Sequence, residues 1–487
     1  MNKRNYTLSS KVGYGLIDVL GGGSFALISL LFLNFLITVE GINPALAGTI
    51  LLIGSIWDAI TDPLMGILSD STRSRFGRRR VYLLAGVFPV ILFFALLWYS
   101  FGITSMTMRF VYYTVIYILF TSASTLVMVP YNALLPDMVE GYKTRSSYVS
   151  IRMFISALAA TISVTVPALL LGAESDRTAG SYLLMGIVFG LFYGLPILVG
   201  FFTTWENPAP RDEERLTLRQ MLHRFGRSFR NRVYRQYLGI FCFGQMATDF
   251  VTAMAVFWLV DVLGRQGLLT IFSGILMAAT ILMLPVNNWI AKRYGKQVPS
   301  YILMPFRAVA LGIAFFMGAD SPMWLLILVC VFCGIGNGAS SFVPWSLLPD
   351  LPDSDEMING SRNAGIFAGM ATLVRKVSGG VAIFLAGAAL SLFGYVESVA
   401  GVMIEQTPTA IFGVRILFAA IPALLSLIVV FLGPRYALTK QNHAAILEAV
   451  THRRETGQPT ADTDVIKACE SVSGHAFGTL WAGKGGD

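Results

Sequence analysis

Two aspartates four residues apart stand in the otherwise apolar stretch Ile56-Trp57-Asp58-Ala59-Ile60-Thr61-Asp62-Pro63. On a helix that spacing projects both carboxylates from one face, with the Thr61 hydroxyl close to it. Like charges so placed repel, and become favourable only when a cation sits between them or one carboxyl holds a proton. Hard oxygen donors suit sodium or a proton load and do not suit a transition metal. Asp58 and Asp62 are therefore read as a cation-binding pair, with oxygens from Thr61 and Thr125. The alternative is that they are structural partners for Lys376 and Arg152, or line a water-filled mouth.

Few other ionisable groups share this apolar setting: Asp18, Arg152, Asp249, Arg307, Arg375 and Lys376. At the centre of a bilayer each costs at least about 2.5 to 3.5 kcal/mol, which makes each a functional candidate. A Lys376 ammonium near the carboxylates would hold their site while it is empty, and its displacement would couple ion occupancy to conformation. Balancing the charge of one aspartate is the equal alternative. Asp249 is expected to line a pore, and Arg307 to anchor packing. His223, His443, His452 and His475 all fall in loops or tail, which leaves no histidine relay in the apolar segments. Cys330 and Cys333 form a CxxC on an apolar helix without a histidine or second pair, so packing is their reading. With no nucleophile and base or metal constellation at sensible spacing, the chain is not read as an enzyme, and no cofactor is expected beyond a coupling ion.

The elements that position these residues follow from composition. The 487 residues are 55% hydrophobic and 13% charged, with a mean hydropathy of +0.66, which is the profile of a chain whose surface faces lipid. Crossing roughly 30 Å of hydrocarbon takes about 20 helical residues. Runs of that length fall near 12–38, 43–69, 80–101, 107–135, 146–172, 178–204, 234–262, 266–291, 299–318, 322–349, 361–393 and 409–434. In lipid the backbone must satisfy itself, so these are predicted as twelve helices. Arginine and lysine concentrate after the second, fourth, sixth and eighth runs, including eight arginines between Arg211 and Arg235. By the positive-inside rule those loops and both termini are cytoplasmic. The net charge of +8 then marks topology, and a nucleic-acid partner is not expected.

Two echoes divide the chain. Ser74-Arg75-Phe76-Gly77-Arg78-Arg79 recurs as Lys292-Arg293-Tyr294-Gly295-Lys296-Gln297, and Pro130-Tyr131-Asn132-Ala133-Leu134-Leu135-Pro136-Asp137 recurs as Pro344-Trp345-Ser346-Leu347-Leu348-Pro349-Asp350. The offsets agree, 218 against 213 or 214. The prediction is an all-α membrane protein of two six-helix bundles in parallel repeat: 1–204, a basic central loop 205–233, 234–434, and a cytoplasmic tail 435–487. One short amphipathic helix near 444–453 is expected in that tail, with the rest disordered. In such folds the substrate binds between the halves at mid-depth.

These residues resemble the glycoside-pentoside-hexuronide:cation symporters of the major facilitator superfamily, typified by the melibiose permease. The similarity spans Tyr14 to about Pro434. It rests on Tyr14-Gly15, Trp57 to Gly66, Arg73 to Gly77, Pro130-Tyr131, Arg152, Asp350, Asp353, Gly360, Arg362, Lys376, Gln406-Thr407-Pro408, Arg415 and Pro422. The resemblance implies that Asp58 and Asp62 bind sodium, lithium or a proton, with Thr61 at an intervening asparagine and Thr125 at a matching threonine. Lys376 and Arg152 match the family's lysine and arginine of the charge network. On the sugar side the pattern departs: the galactosyl-holding aspartates fall on Gly22 and Met128, and a tryptophan falls on Asn132 beside Tyr131. Asp18 stands where glucuronide-carrying relatives have an aspartate. The resemblance implies symport of a glycoside, pentoside, hexuronide or similar sugar, coupled to Na+ or H+, across a cell membrane by a single chain. The related animal branch, which carries lysophospholipids with sodium, makes an amphiphilic cargo the alternative.

Overall fold

The computed structural model describes residues 7–139, 142–171, 179–206, 231–359, 364–396 and 405–481. Most of the basic central loop, and the motif residues Gly360 and Arg362, lie outside them. Among the described residues eleven helices are long and apolar enough to cross a membrane. They are α1 (Leu8–Thr38), α2 (Pro44–Ser71), α4 (Met106–Met138), α5 (Tyr142–Leu171), α6 (Ala179–Thr203), α7 (Arg232–Val262), α8 (Leu269–Tyr294), α9 (Val298–Phe316), α10 (Met323–Leu347), α11 (Ala364–Leu392) and α12 (Pro408–Arg435). The third apolar run forms a shorter helix, α3 (Arg80–Leu96). It runs out through tighter turns, Trp98 N–H to the Ala95 carbonyl and Tyr99 N–H to the Leu96 carbonyl, and Phe101 and Gly102 beyond them adopt positive φ, 53° and 73°.

Local sequence explains where the helices start. Asn43-Pro44 and Thr407-Pro408 place a capping side chain before a proline at the first helical position, where the missing N–H costs nothing. Asn43 Oδ1 accepts from the Ala45 N–H at 3.0 Å. Asn231 caps α7 in the same way, accepting from Val233 at 2.9 Å.

In the first half α1 packs on α5 and α6, α3 on α4 and α6, and α2 on α4; in the second, α7 packs on α10, α11 and α12, and α10 on α8 and α9. Each bundle has an aromatic core, such as Phe32, Phe35, Trp98, Tyr113 and Tyr182 in the first. Large apolar side chains such as Phe154, Phe202 and Phe316 point outward, 71%, 76% and 83% exposed, as a lipid-facing surface requires.

The two echoes of the sequence are ion-pair partners. Arg78 and Arg79 in the α2–α3 loop contact Asp137 at the end of α4, at 2.9 and 2.5 Å, and Arg79 also donates to the Ala133 carbonyl. In the second half Lys296 reaches Asp350 at 2.7 Å. Gly77 and Gly295 hold φ of 103° and 126°, a turn that L side chains disfavour. Each repeated loop thus ties its bundle together at the end that carries the chain termini.

The bundles meet where α2 faces α11, α5 faces α8 and α1 faces α7. Away from the termini the approach is close: a Cβ on Gly387 of α11 would stand 2.3 Å from the Pro44 carbonyl, Ser391 lies 3.4 Å from Asn43, and Ser273 donates to the Val164 carbonyl at 3.3 Å.

The tail corrects the expectation of disorder. Two helices follow α12, α13 (Lys440–Thr456) and α14 (Thr463–Ser473), capped by Thr439 and Asp462. Their apolar faces, with Ile446, Ala449 and Val450 on one and Val465, Cys469 and Val472 on the other, are buried. They close over a short connecting helix, Leu351–Asn359, between α10 and α11. His443 sits 3.0 Å from Asp353, and Arg454 grips Glu356 through two bonds of 2.8 and 2.6 Å. The helical spacing of apolar residues was present in the sequence, but nothing there disclosed the surface that covers it.

Candidate functional site

Asp58 and Asp62 project from mid-length of α2. Thr125 on α4 is 2.6 Å from Asp58 Oδ1 and 2.9 Å from Asp62 Oδ1, close enough to give its one proton to either. Lys376 on α11 completes the cluster, its ammonium 2.7 Å from Asp58 Oδ2 and 2.6 Å from Asp62 Oδ2. Three helices from both bundles therefore converge on one carboxylate pair. Thr61 does not take part as expected: its hydroxyl donates to the Trp57 carbonyl at 3.0 Å, a one-turn back-bond open to a threonine whose side chain leaves the helix between the two aspartates. Pro63, inside α2, offers no N–H to the Ala59 carbonyl one turn back.

Beside this cluster lies a cavity of about 220 Å³. Asp58, Asp62, Thr125 and Lys376 line it, together with Met128 and Asn132 of the predicted substrate positions and with Gly21, Ser24 and Phe25 of α1. Gly22 lies elsewhere. Its missing side chain faces α5, where a Cβ would stand 2.3 Å from Ser156 Oγ and 2.8 Å from the Ser156 carbonyl. Gly21 takes the position facing the cavity, with a Cβ there 2.4 Å from the Met128 methyl. The cause is local: α1 widens into a π-helical turn over Leu20–Ser24, which shifts the helical register by a fraction of a turn.

Arg152 is not a partner of the α2 carboxylates. It donates to Asp18 at 3.0 Å, and its guanidinium lies 4.8 Å over the Tyr131 ring, which packs tilted against Tyr14 with ring centres 4.7 Å apart. Tyr131 is fully buried and supports Arg152 from behind. Asp249, expected as a pore-lining polar group, is held in a two-pronged ion pair by Arg375, both bonds 2.8 Å. Arg307 is fully buried and anchors packing as expected, bonded to Thr248, Asn337, Ser340, Ser426 and the Gly244 carbonyl. Ser24 and Phe25 were missed as cavity residues, because an apolar or small residue on a membrane helix carries no signal of which face it occupies. Among the described residues no cluster of three or more histidine, cysteine, aspartate or glutamate side chains is arranged to hold a metal ion.

Among the described residues, two bundles of six helices around a charged cavity make this a polytopic membrane transporter of the major facilitator fold. The chain belongs to the MFS/sugar transport protein family, whose pattern it matches over residues 13–440. The glucuronide carrier protein homolog of Escherichia coli is 25% identical, the match covering 92% of this chain and 96% of that one. The sodium-dependent lysophosphatidylcholine symporter 1-A of Danio rerio is 24% identical over 81% of this chain and 79% of its own. A D-xylose-proton symporter of known structure superposes with a TM-score of 0.60 at 15% identity, covering 87% of this chain and 97% of that one. These relatives are carriers or symporters by name, and transport is this chain's activity.

Proposed function

We propose that the protein is a secondary active symporter that couples a monovalent cation, Na+ or H+, to movement of a sugar or glycoside by alternating access. The observation that carries this reading is the position of Lys376. Its ammonium occupies the space between Asp58 and Asp62 that a coupling cation would fill, and it comes from the opposite bundle. A cation entering between the carboxylates displaces that ammonium and removes a charged tie between α2 and α11. The bundles, residues 1–204 and 234–434, are then free to rock about the cavity once substrate has replaced the lost contacts. Ion and substrate must each strengthen the other's binding, typically by about 1 to 3 kcal/mol. Loops rich in arginine and lysine support a cytoplasmic side for both termini in a cell membrane.

The test is uptake into proteoliposomes with sodium and pH gradients imposed separately, across glycosides, glucuronides and lysophospholipids. Gradient-driven uptake of a glycoside supports the reading. Uptake indifferent to both gradients refutes symport, and uptake of lysophospholipid alone refutes the sugar cargo. Asp58→Cys should abolish ion-stimulated uptake while the protein still inserts and folds.

A further inference from the structure

A second kind of charged pair stands apart from the carboxylate cluster. Asp249 on α7 and Arg375 on α11 share two 2.8 Å bonds, with side chains 5% and 17% exposed. In the other bundle Asp18 on α1 and Arg152 on α5 do the same through one bond of 3.0 Å. The first and fifth helices of one half and the corresponding seventh and eleventh of the other thus each carry one aspartate–arginine pair. Each pair adjoins a cavity-lining residue of α1. A Cβ on Gly21 would stand 3.0 Å from Asp18 Oδ1, and the Phe25 ring lies 5.6 Å from the Arg375 guanidinium carbon.

Three features distinguish Asp249–Arg375 from a packing contact. Gly379, one turn along α11, leaves bare backbone where the guanidinium sits: a Cβ there would be 2.7 Å from Arg375 Nη1 and 3.2 Å from Asp249 Oδ2. Phe25 reaches the guanidinium from the opposite bundle, so the pair lies on the interface at which the halves separate. Asp249 takes two of the five guanidinium N–H groups, and among the described residues it is the only hydrogen-bond partner of that side chain. Three donors stay available, and each carboxylate oxygen keeps a lone pair.

We propose that Asp249 and Arg375, one contact beyond the cavity lining at Phe25, form a binding subsite for neighbouring hydroxyls of a polyol ring on the C-terminal side of the substrate site; this rests on the symport reading above. A guanidinium and a carboxylate held side by side offer donors and acceptors together with no net charge, which matches a hydroxyl that does both. A ligand carboxylate would instead face Asp249. The pair is neutral as it stands, so a neutral polyol adds no charge beside it, whereas an anionic cargo would bring one where water is scarce.

The test uses proteoliposomes of the full chain with methyl β-glucoside, methyl β-xyloside, their singly deoxygenated analogues and glucuronate, under sodium and pH gradients. Wild type is compared with Arg375→Gln and with Gly379→Ala, which crowds the guanidinium most and the Asp249 carboxylate less. KM for the neutral glycoside should rise roughly 10- to 100-fold in both variants, the loss of hydrogen bonds to a charged group. The cation concentration that half-maximally stabilises the protein against heat should stay unchanged. Removing one ring hydroxyl should cost affinity in wild type and little in Arg375→Gln. A purely structural ion pair would lower stability and leave that deoxygenation penalty intact, which overturns the proposal. So does transport of glucuronate with none of the neutral glycosides. Where neither gradient drives any solute, the symport reading fails as well; where a gradient drives uptake and the variants match wild type, this subsite alone fails. Should Arg375→Gln not insert, Gly379→Ala carries the same comparison.

Discussion

Lys376→Ala separates an ammonium that competes with the coupling ion from one that helps to bind it. Removing one partner of a fully buried ion pair costs roughly 3 to 5 kcal/mol. Here the lysine is 26% exposed and the two carboxylates 18% and 21%, and water screens part of the interaction, so about 2 kcal/mol is a fair figure. A cation that must displace Lys376 loses that amount, which is about 30-fold in affinity. The variant should therefore bind its cation about 30-fold more tightly than wild type. At a cation concentration equal to the wild-type Kd, wild type gains about 0.4 kcal/mol of stability and the variant about 2 kcal/mol. Thermal unfolding of purified protein titrated with NaCl, and separately with pH, reads this directly. The unloaded variant should melt below unloaded wild type, because its two carboxylates then face each other without a counter-charge. Substrate should no longer raise cation affinity, since the tie between α2 and α11 is gone. A variant whose half-saturating cation concentration equals or exceeds that of wild type would refute the displacement argument and make Lys376 part of the binding site itself.

Thr125→Val removes the hydroxyl between the two carboxylates, and a lost hydrogen bond to a charged group should weaken cation binding about tenfold while the fold persists; the same titration measures it. Gly387→Ala puts a methyl 2.3 Å from the Pro44 carbonyl, a backbone atom that has little room to give. The close contact away from the termini should loosen, the melting temperature fall, and thiol labelling of an Asn43→Cys reporter accelerate. In the tail, burial and the neighbouring Glu470 push the Cys469 thiol up to about 11. Its alkylation, followed by mass spectrometry, should be slow at pH 8 and climb about tenfold per pH unit toward that value, since the thiolate is the nucleophile. His443→Ala with Arg454→Ala should speed labelling at pH 8 by loosening the docked helices, and an unchanged rate would refute the docking.

Much of this protein is legible in its amino-acid sequence. Twelve apolar runs could only be helices, because backbone in lipid has no other partner, and the positions of Asn43-Pro44 and Thr407-Pro408 set where two of them begin. The repeated basic loop and the repeated Pro-Asp gave two halves, since residues that must hold the same turn and charge recur at the same spacing. The i, i+4 spacing of Asp58 and Asp62 placed both on one side of one helix, a property of a single segment.

What joins separate segments was not legible in that way. That Lys376 bridges both carboxylates, that Arg152 turns to Asp18 and Arg375 to Asp249, and that the tail folds over Leu351–Asn359 depend on how helices rotate and pack. Helix rotation is set by the sum of many small contacts and, in α1, by a π-helical turn that moves Gly21 toward the cavity and Gly22 toward α5. The cost of placing charge in lipid singles out the residues that must be buried, and that can be read along the chain; which charge answers which is set by packing, because the partners lie over a hundred residues apart.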